Sequence, residues 1–539
     1  MQLANGVVVA PQPQAVEEGV RILQRGGNAF DAAVATALMQ TVVDPQMCGI
    51  AGFGVANCYV NATGEHRIIN FYDRAPKAAR PDMYEAIETD EVLGDYFPVK
   101  NNANQMGYTS VGTPGTLAGL YEVHRRYGRL PWKEVVAPAI YHAKHGIRIH
   151  PDVAERWKQP GTKENVSDRE KLNATPACAA IYTKNGATLD AGDLLVNEDY
   201  AQTLQRIADE GPDVFYRGEL ARIIDEDFRR NGGYLTAEDL AEYRVRVTEP
   251  VYSDYRGYRI ATTPPPGGGV IVAKILNILE GFDLASLPQT SADYVHLVAS
   301  AMRIAFADRA EYWGDPEFLD IPVATLISKE HAAERRALIT WEAPASSATP
   351  SGGGSTDTTH LSVIDREGNI AAITHTLGLS SGVVVPGLGF MFNNAMHKFD
   401  PRPGRPNSIA PGKSRASALS PTIIFDGDRP LLALGSPGAF GIITGVVQTI
   451  LNVIDRGDSA LEAVSRPRLH CEGPTVQLEA RFPSWIDAEL EARGHKVQRS
   501  LKSYDRFSGL VHAAMIDYET NRATGGADPR RGGMALTDE

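Results

Sequence analysis

The stretch STDTTHLSVIDREGNIAAITHT, residues 355–376, constrains this chain more than any other. It reads as a β-hairpin whose three-residue turn, Arg366-Glu367-Gly368, uses Gly368 for the left-handed position. In that register Asp365 faces Asn369, and Thr358 falls opposite Thr376. Directly opposed Cβ atoms lie about 4.5–5.5 Å apart, so the two hydroxyls can share a hydrogen bond. Threonine is also simply a good strand residue, and the pairing alone does not choose between the two readings. His360 and His375 are read as packing residues, each on the face opposite the neighbouring threonine.

Ahead of the hairpin, residues 342–357 contain little that can be buried and read as a flexible linker. Before it the periodicity is mainly helical, beginning with two consecutive helices broken at Gly26-Gly27 and restarted with Asn28 as N-cap. The second of these helices is nearly all apolar, which predicts burial. Further helices are predicted around residues 116–145, 200–210, 269–280 and 292–312, and strands dominate after the linker. Helix-rich and strand-rich halves of one chain predict packed layers rather than separate modules.

A chain of 539 residues with 43% hydrophobic and 22% charged residues has globular composition. A net charge of −13 without a dense Lys/Arg run argues against nucleic-acid partners. No window has the apolar length of a membrane span, and the start lacks a basic, apolar leader, so a cytoplasmic location is expected. Cys48, Cys58, Cys178 and Cys471 have no metal or redox spacing and are expected to be reduced packing residues. Gly49, Gly52 and Gly54 suggest a phosphate cradle, but they do not sit between a strand and a following helix. No HExxH or comparable cluster appears, and neither a metal nor another cofactor is expected.

A threonine opening a buried strand behind a flexible tail fits a self-cleaving precursor. Thr358 Oγ would attack the Asp357 carbonyl, and water would hydrolyse the resulting ester. The freed α-amine has an ordinary pKa of about 7.7–8. Burial disfavours its charged form, so it can serve as base toward its own hydroxyl. The turn at Ser436-Pro437-Gly438 precedes a predicted helix, where the amides of Gly438 and Ala439 can hold an oxyanion or merely cap the helix. The G-x-S-x-G serine elbow is not matched, because Leu434 occupies the first glycine's place.

Ordered motifs along nearly the whole chain, among them RGGNAFDAAVA, SVGTPGTLAGL, PPPGGGVIVAKILNILEGF, DTTHLSVIDREGN, LGSPGAFGIITGVVQ and ADPRRGG, resemble the gamma-glutamyltransferase family of N-terminal nucleophile hydrolases. The resemblance implies an α+β fold, a four-layer αββα sandwich built by both halves of a self-cleaved precursor. The halves would be a large subunit, 1–357, and a small subunit, 358–539, forming a heterodimer; association of two heterodimers stays open. It implies Thr358 as nucleophile, Thr376 as its hydroxyl partner, Gly438 and Ala439 as oxyanion hole, and processing at Asp357, Thr358 and Thr359.

The donor pocket departs from the family pattern. Tyr72 stands where the family has a carboxylate-gripping arginine, and Arg74 lies two residues later. Of a serine pair, Ser417 is kept and Ala418 replaces the second. Where the family holds an α-ammonium with Asn, Gln and Asp, this chain has Gly378, Ala395 and Lys398. An unpaired buried charge costs several kcal/mol, on the order of a thousandfold in binding. The expected substrate is therefore a small amide whose acyl group carries a carboxylate but no α-amino group, clamped by Arg74, Lys398 and Arg415. Glutathione hydrolysis or transpeptidation and an uncleaved scaffold are the alternatives. Residues 399–414 are expected to cover the pocket as a lid.

Overall fold

The computed structural model describes residues 2–87, 97–162, 165–345 and 358–539. Two antiparallel sheets stack between layers of helices. The chain opens with strand β1 (Val7–Ala10), helices α1 (Pro13–Gln24) and α2 (Ala29–Val43), and strands β2 (Phe53–Val60) and β3 (Glu65–Phe71). After a helical block come β4 (Arg246–Thr248), β5 (Val251–Tyr255), β6 (Tyr258–Thr262), α3 (Gly269–Leu279) and α4 (Ala292–Tyr312). The hairpin supplies β7 (Thr359–Ile364) and β8 (Ile370–Thr376). Then follow β9 (Thr422–Asp426), β10 (Arg429–Gly435), α5 (Gly441–Arg456), β11 (His512–Asp517), β12 (Arg522–Gly526) and β13 (Met534–Thr537).

The first sheet runs β13-β1-β7-β8-β2-β3-β4 and the second β12-β11-β10-β9-β6-β5. Both sheets contain strands from before and from after the 346–357 stretch, so the sandwich is a joint product of the two halves. Period-two alternation sorts the core. Leu361, Val363, Ala371 and Ile373 pack toward α1 and α2, while Ile364, Ile370 and Ala372 pack toward Ile423, Phe425 and Ala433 of the second sheet.

α2 is buried along its whole length, as its apolar sequence predicts. Asn28 caps it by accepting the amides of Phe30 and Asp31, and the Asp31 carboxylate accepts the Asn28 amide at 3.0 Å. Such a cap stabilises a helix by about 1 kcal/mol. Gly52 and Gly54 are small because the backbone of β8 passes against them: a Cβ would strike the carbonyls of Thr376 and Thr374. Close strand packing, not a phosphate, accounts for these glycines. All four cysteines are buried and free. Among the described residues no helix is long and apolar enough to cross a membrane.

Residues 399–414 do not line the cavity at Thr358, although Lys398 and Arg415 on either side of them do. They fold back on themselves, with the Lys413 ammonium donating to the carbonyls of Pro406 and Ser408. They are tied to Ala75 through reciprocal backbone bonds and to Asp315 through the neighbouring Ser414 amide, and they lie outside the cavity wall.

Candidate active site

The hairpin adopts the expected register. Thr359 pairs with His375, Ile364 with Ile370, and the Asp365 amide donates to Asn369 O at 3.2 Å. One step beyond the last pair sets Thr358 opposite Thr376. Gly368 turns with φ +79°. The Asp365 carboxylate accepts the amides of Glu367 and Asn369 and also that of Ala29 at the start of α2, which fastens the hairpin to the helix layer.

Thr358 and Thr376 share the face that looks toward the second sheet, where they line a half-open cavity. The expected bond between their hydroxyls is not made in this continuous chain. Thr376 Oγ1 instead accepts the Gly378 amide at 2.9 Å, which leaves its own proton free to donate. Thr358 is buried and has φ +146°, a conformation costing a β-branched residue on the order of 1–3 kcal/mol. Thr359 points the other way, into a polar cluster where Gln40 Nε2 donates to its hydroxyl at 2.9 Å and Gln40 Oε1 meets His375. His360 corrects the sequence reading: residues two apart on a strand share a face, and its ring joins Thr374 and Ser362 on the Thr358 side. Asp357 lies outside the described residues.

Ala439 forms part of the cavity wall beside Phe440, just before α5. Gly438 has φ +125° and Ala439 φ +47°. Among the described residues neither amide donates a hydrogen bond within the protein. The turn is held from behind by Ser436, whose hydroxyl oxygen accepts the Leu510 amide at 2.7 Å. Gly438 itself is not part of the wall.

Gly378, Lys398, Arg415 and Ser417 line the same cavity. Arg415 stacks 4.6 Å over Phe53, and its Nε lies 3.6 Å from the Asp73 carboxylate. Asp73 is fully buried, and its carboxylate has no hydrogen-bond partner among the described residues. Burial pushes its pKa up to about 6, offset in part by Arg415. His397, also on the wall, is held neutral by burial and by the charges of Lys398, Lys171 and Arg415. Lys171 is buried behind the wall, donating to Leu379 O at 2.8 Å, and burial lowers its pKa to about 8. The cavity wall carries no Asp or Glu side chain among the described residues.

Two of the expected substrate contacts are absent from this wall. Arg74 bridges its backbone to Thr113, which turns its side chain outward to Glu317 at 3.5 Å. Ala395 is buried with its methyl group packed against Gly112, where a Cβ on Gly112 would lie only 2.9 Å from it. Sequence reading missed Trp313, Asn394, His397 and Phe440, all on the wall, and the buried Asp73 and Lys171. No short-range pattern marks them, because helix, loop and strand from distant parts of the chain converge here. Among the described residues no group of three His, Cys, Asp or Glu side chains could hold a metal.

Asp73 gives a pH test. Its pKa in the fold lies above the ordinary 3.8, so the fold takes up a proton and loses stability as pH rises from about 4 to about 6. Thermal unfolding should show Asp73→Asn gaining on the native protein by about 3 kcal/mol between pH 4 and pH 7, at 1.36 kcal/mol per unit. Parallel stability curves would contradict the shift.

Two stacked sheets between helical layers, with a threonine-lined cavity at their edge, define an amide hydrolase or acyltransferase of the N-terminal nucleophile fold. The chain belongs to the gamma-glutamyltranspeptidase family, whose pattern matches residues 15–537. It is 43% identical to the Acylase ACY 1 proenzyme of Pseudomonas sp. (strain SE83), over 92% of this chain and 88% of that one. It is 35% identical to the glutathione hydrolase proenzyme of Bacillus subtilis (strain 168), over 99% and 91% respectively. The solved cephalosporin acylase from Bacillus halodurans superposes with a TM-score of 0.88 at 33% identity, covering 99% of this chain and 96% of that one.

Proposed function

We propose that this chain cuts itself before Thr358 and that the exposed threonine then hydrolyses a small amide with a carboxylate-bearing acyl group that lacks an α-amino group. The acyl-bearing cavity carries the reading: its wall holds Lys398 and Arg415 and, among the described residues, no carboxylate. An α-ammonium would meet cations there. The Asn394 carboxamide, the remaining polar group of that kind, is already engaged, accepting the Leu379 amide and donating to Gln105 O. The acylase relatives support the same class of reaction.

Cleavage would release the +146° torsion at Thr358, since φ no longer exists once its nitrogen is a free amine. In the mature form that amine takes the Thr358 hydroxyl proton, and Oγ attacks the substrate carbonyl. The oxyanion accepts hydrogen bonds from the Gly438 and Ala439 amides. The C–N bond breaks as the leaving amine receives the proton, and water hydrolyses the acyl ester by the same route. Thr376, its lone pair occupied by Gly378, donates to Thr358 Oγ and fixes its direction.

A substrate pair varying only the acyl group tests the reading. Glutaryl-p-nitroanilide should exceed γ-glutamyl-p-nitroanilide in kcat/KM by about a thousandfold, the value of an unpaired buried charge. Equal values would establish glutathione-type hydrolysis instead, the reading that the glutathione hydrolase relatives favour.

A further inference from the structure

Behind the cavity wall runs a buried polar chain that the chemistry above does not use. The Arg309 guanidinium sits 3.9 Å from the Phe440 ring centre, 5.2 Å from Trp313 and 5.0 Å from Phe306. Its Nη1 meets Glu472 Oε2 at 2.9 Å, and both side chains are nearly sealed from solvent, 8% and 1% exposed. Glu472 Oε1 lies 3.0 Å from His470 Nε2, and His470 Nδ1 lies 3.0 Å from Thr444 Oγ1 on the first turns of α5. A carboxylate can only accept, so Nε2 carries the proton; the Thr444 hydroxyl, which also lies 3.3 Å from Gly441 O at the start of the helix, pairs with Nδ1.

A buried ion pair contributes little net stability against an apolar replacement, because desolvation offsets the attraction. What such a pair does well is hold geometry. Here it grips the start of α5, directly after the oxyanion turn, at two points. One is the aromatic ring of Phe440, the residue after Ala439; the other is Thr444, one helical turn further on. Fixing these two points fixes the helix start from which the Ala439 amide is presented at φ +47°, a left-handed value for a residue with a Cβ.

We infer that Arg309, Glu472 and His470 form a positioning clamp that sets the Ala439 amide for the oxyanion, with Arg309 acting through Phe440 and His470 through Thr444. The inference rests on the proposed role of Ala439. Because an oxyanion exists only in the transition state, loosening the clamp should lower kcat and leave ground-state binding alone. Losing an oxyanion donor outright costs about 10²–10³ in kcat, and misplacement costs less.

The test uses the processed protein, with rates normalised to the processed fraction. Arg309→Met and Glu472→Gln should each lower kcat for glutaryl-p-nitroanilide by about 30-fold, with KM and the inhibition constant of glutarate within about twofold of native. The double variant should cost no more than the worse single, since both act on one turn. Arg309→Lys keeps the charge and loses the planar stack, and should fall between. A kcat within threefold of native, or a rise in KM that accounts for the whole loss, overturns the clamp. Should Arg309→Met fail to fold, Glu472→Gln preserves volume and one hydrogen bond and decides the matter alone. A native protein without a p-nitroaniline burst, by contrast, would count against the threonine ester and not against the clamp.

Discussion

Thr358→Ala is expected to migrate as one chain of 58.3 kDa and to show no amide hydrolysis, whereas the native protein is expected to yield two chains, 1–357 and 358–539. In the proposed mechanism the same hydroxyl serves twice, first on the Asp357 carbonyl and then on the substrate, so its removal would abolish both steps. Loss of a nucleophile typically costs about 10⁴-fold or more in kcat, because the remaining amides only stabilise charge that no longer forms. Thr358→Ser should still cut itself, since a hydroxyl remains. The serine lacks the methyl group that restricts χ1, so its Oγ is less often aimed at the carbonyl and both steps slow. Intact mass of active native protein settles the point: a single unbroken polypeptide would remove the α-amine base, and with it the mechanism.

Lys398→Asp is expected to invert acyl preference. Lys398 and Arg415 both line the native cavity, whose wall carries no Asp or Glu among the described residues, and Asp73 lies behind Arg415, not on the wall; in the proposed reading the two cations face the acyl carboxylate. Two unit charges about 4 Å apart interact by about 4 kcal/mol near a protein surface, so replacing an attractive charge by a repulsive one exceeds what a hydrogen bond could mask. The kcat/KM for glutaryl-p-nitroanilide should fall about a thousandfold. That for γ-glutamyl-p-nitroanilide should rise about tenfold, since the new carboxylate offers its ammonium a partner. The processed fraction on a denaturing gel separates a binding defect from a failure to mature. Unchanged glutaryl turnover in a fully processed variant would show that Lys398 does not face the acyl carboxylate.

Much of this arrangement is legible from sequence because it is local. The Gly368 turn sets the pairing of Thr358 with Thr376, and Asn28 announces the start of α2. Direction and depth are not local. Motif position puts Arg74 near the acyl group, yet the bridge to Thr113 turns it toward Glu317. Ala395 reads as a lost ligand, yet its methyl group is buried against Gly112 and off the cavity wall. His360 shows the opposite failure: period-two geometry suffices to place it beside Thr358, and the sequence reading assigned it to the wrong side. Trp313 and Phe440 meet, 4.9 Å between ring centres, only because α4 and the turn before α5 converge across the second sheet.

The strand order of the first sheet bears on what a cut at Thr358 can do. β7 is interior, bonded to β1 on one side and β8 on the other, and the sheet draws neighbours from both sides of the break. A chain end created there is buried, paired with β8 from Thr359 onward and also with β1 from Ser362, and so is held more firmly than an ordinary terminus. The two pieces then share one core with no surface along which they could part, so dilution should not dissociate them: separation and denaturation are a single event.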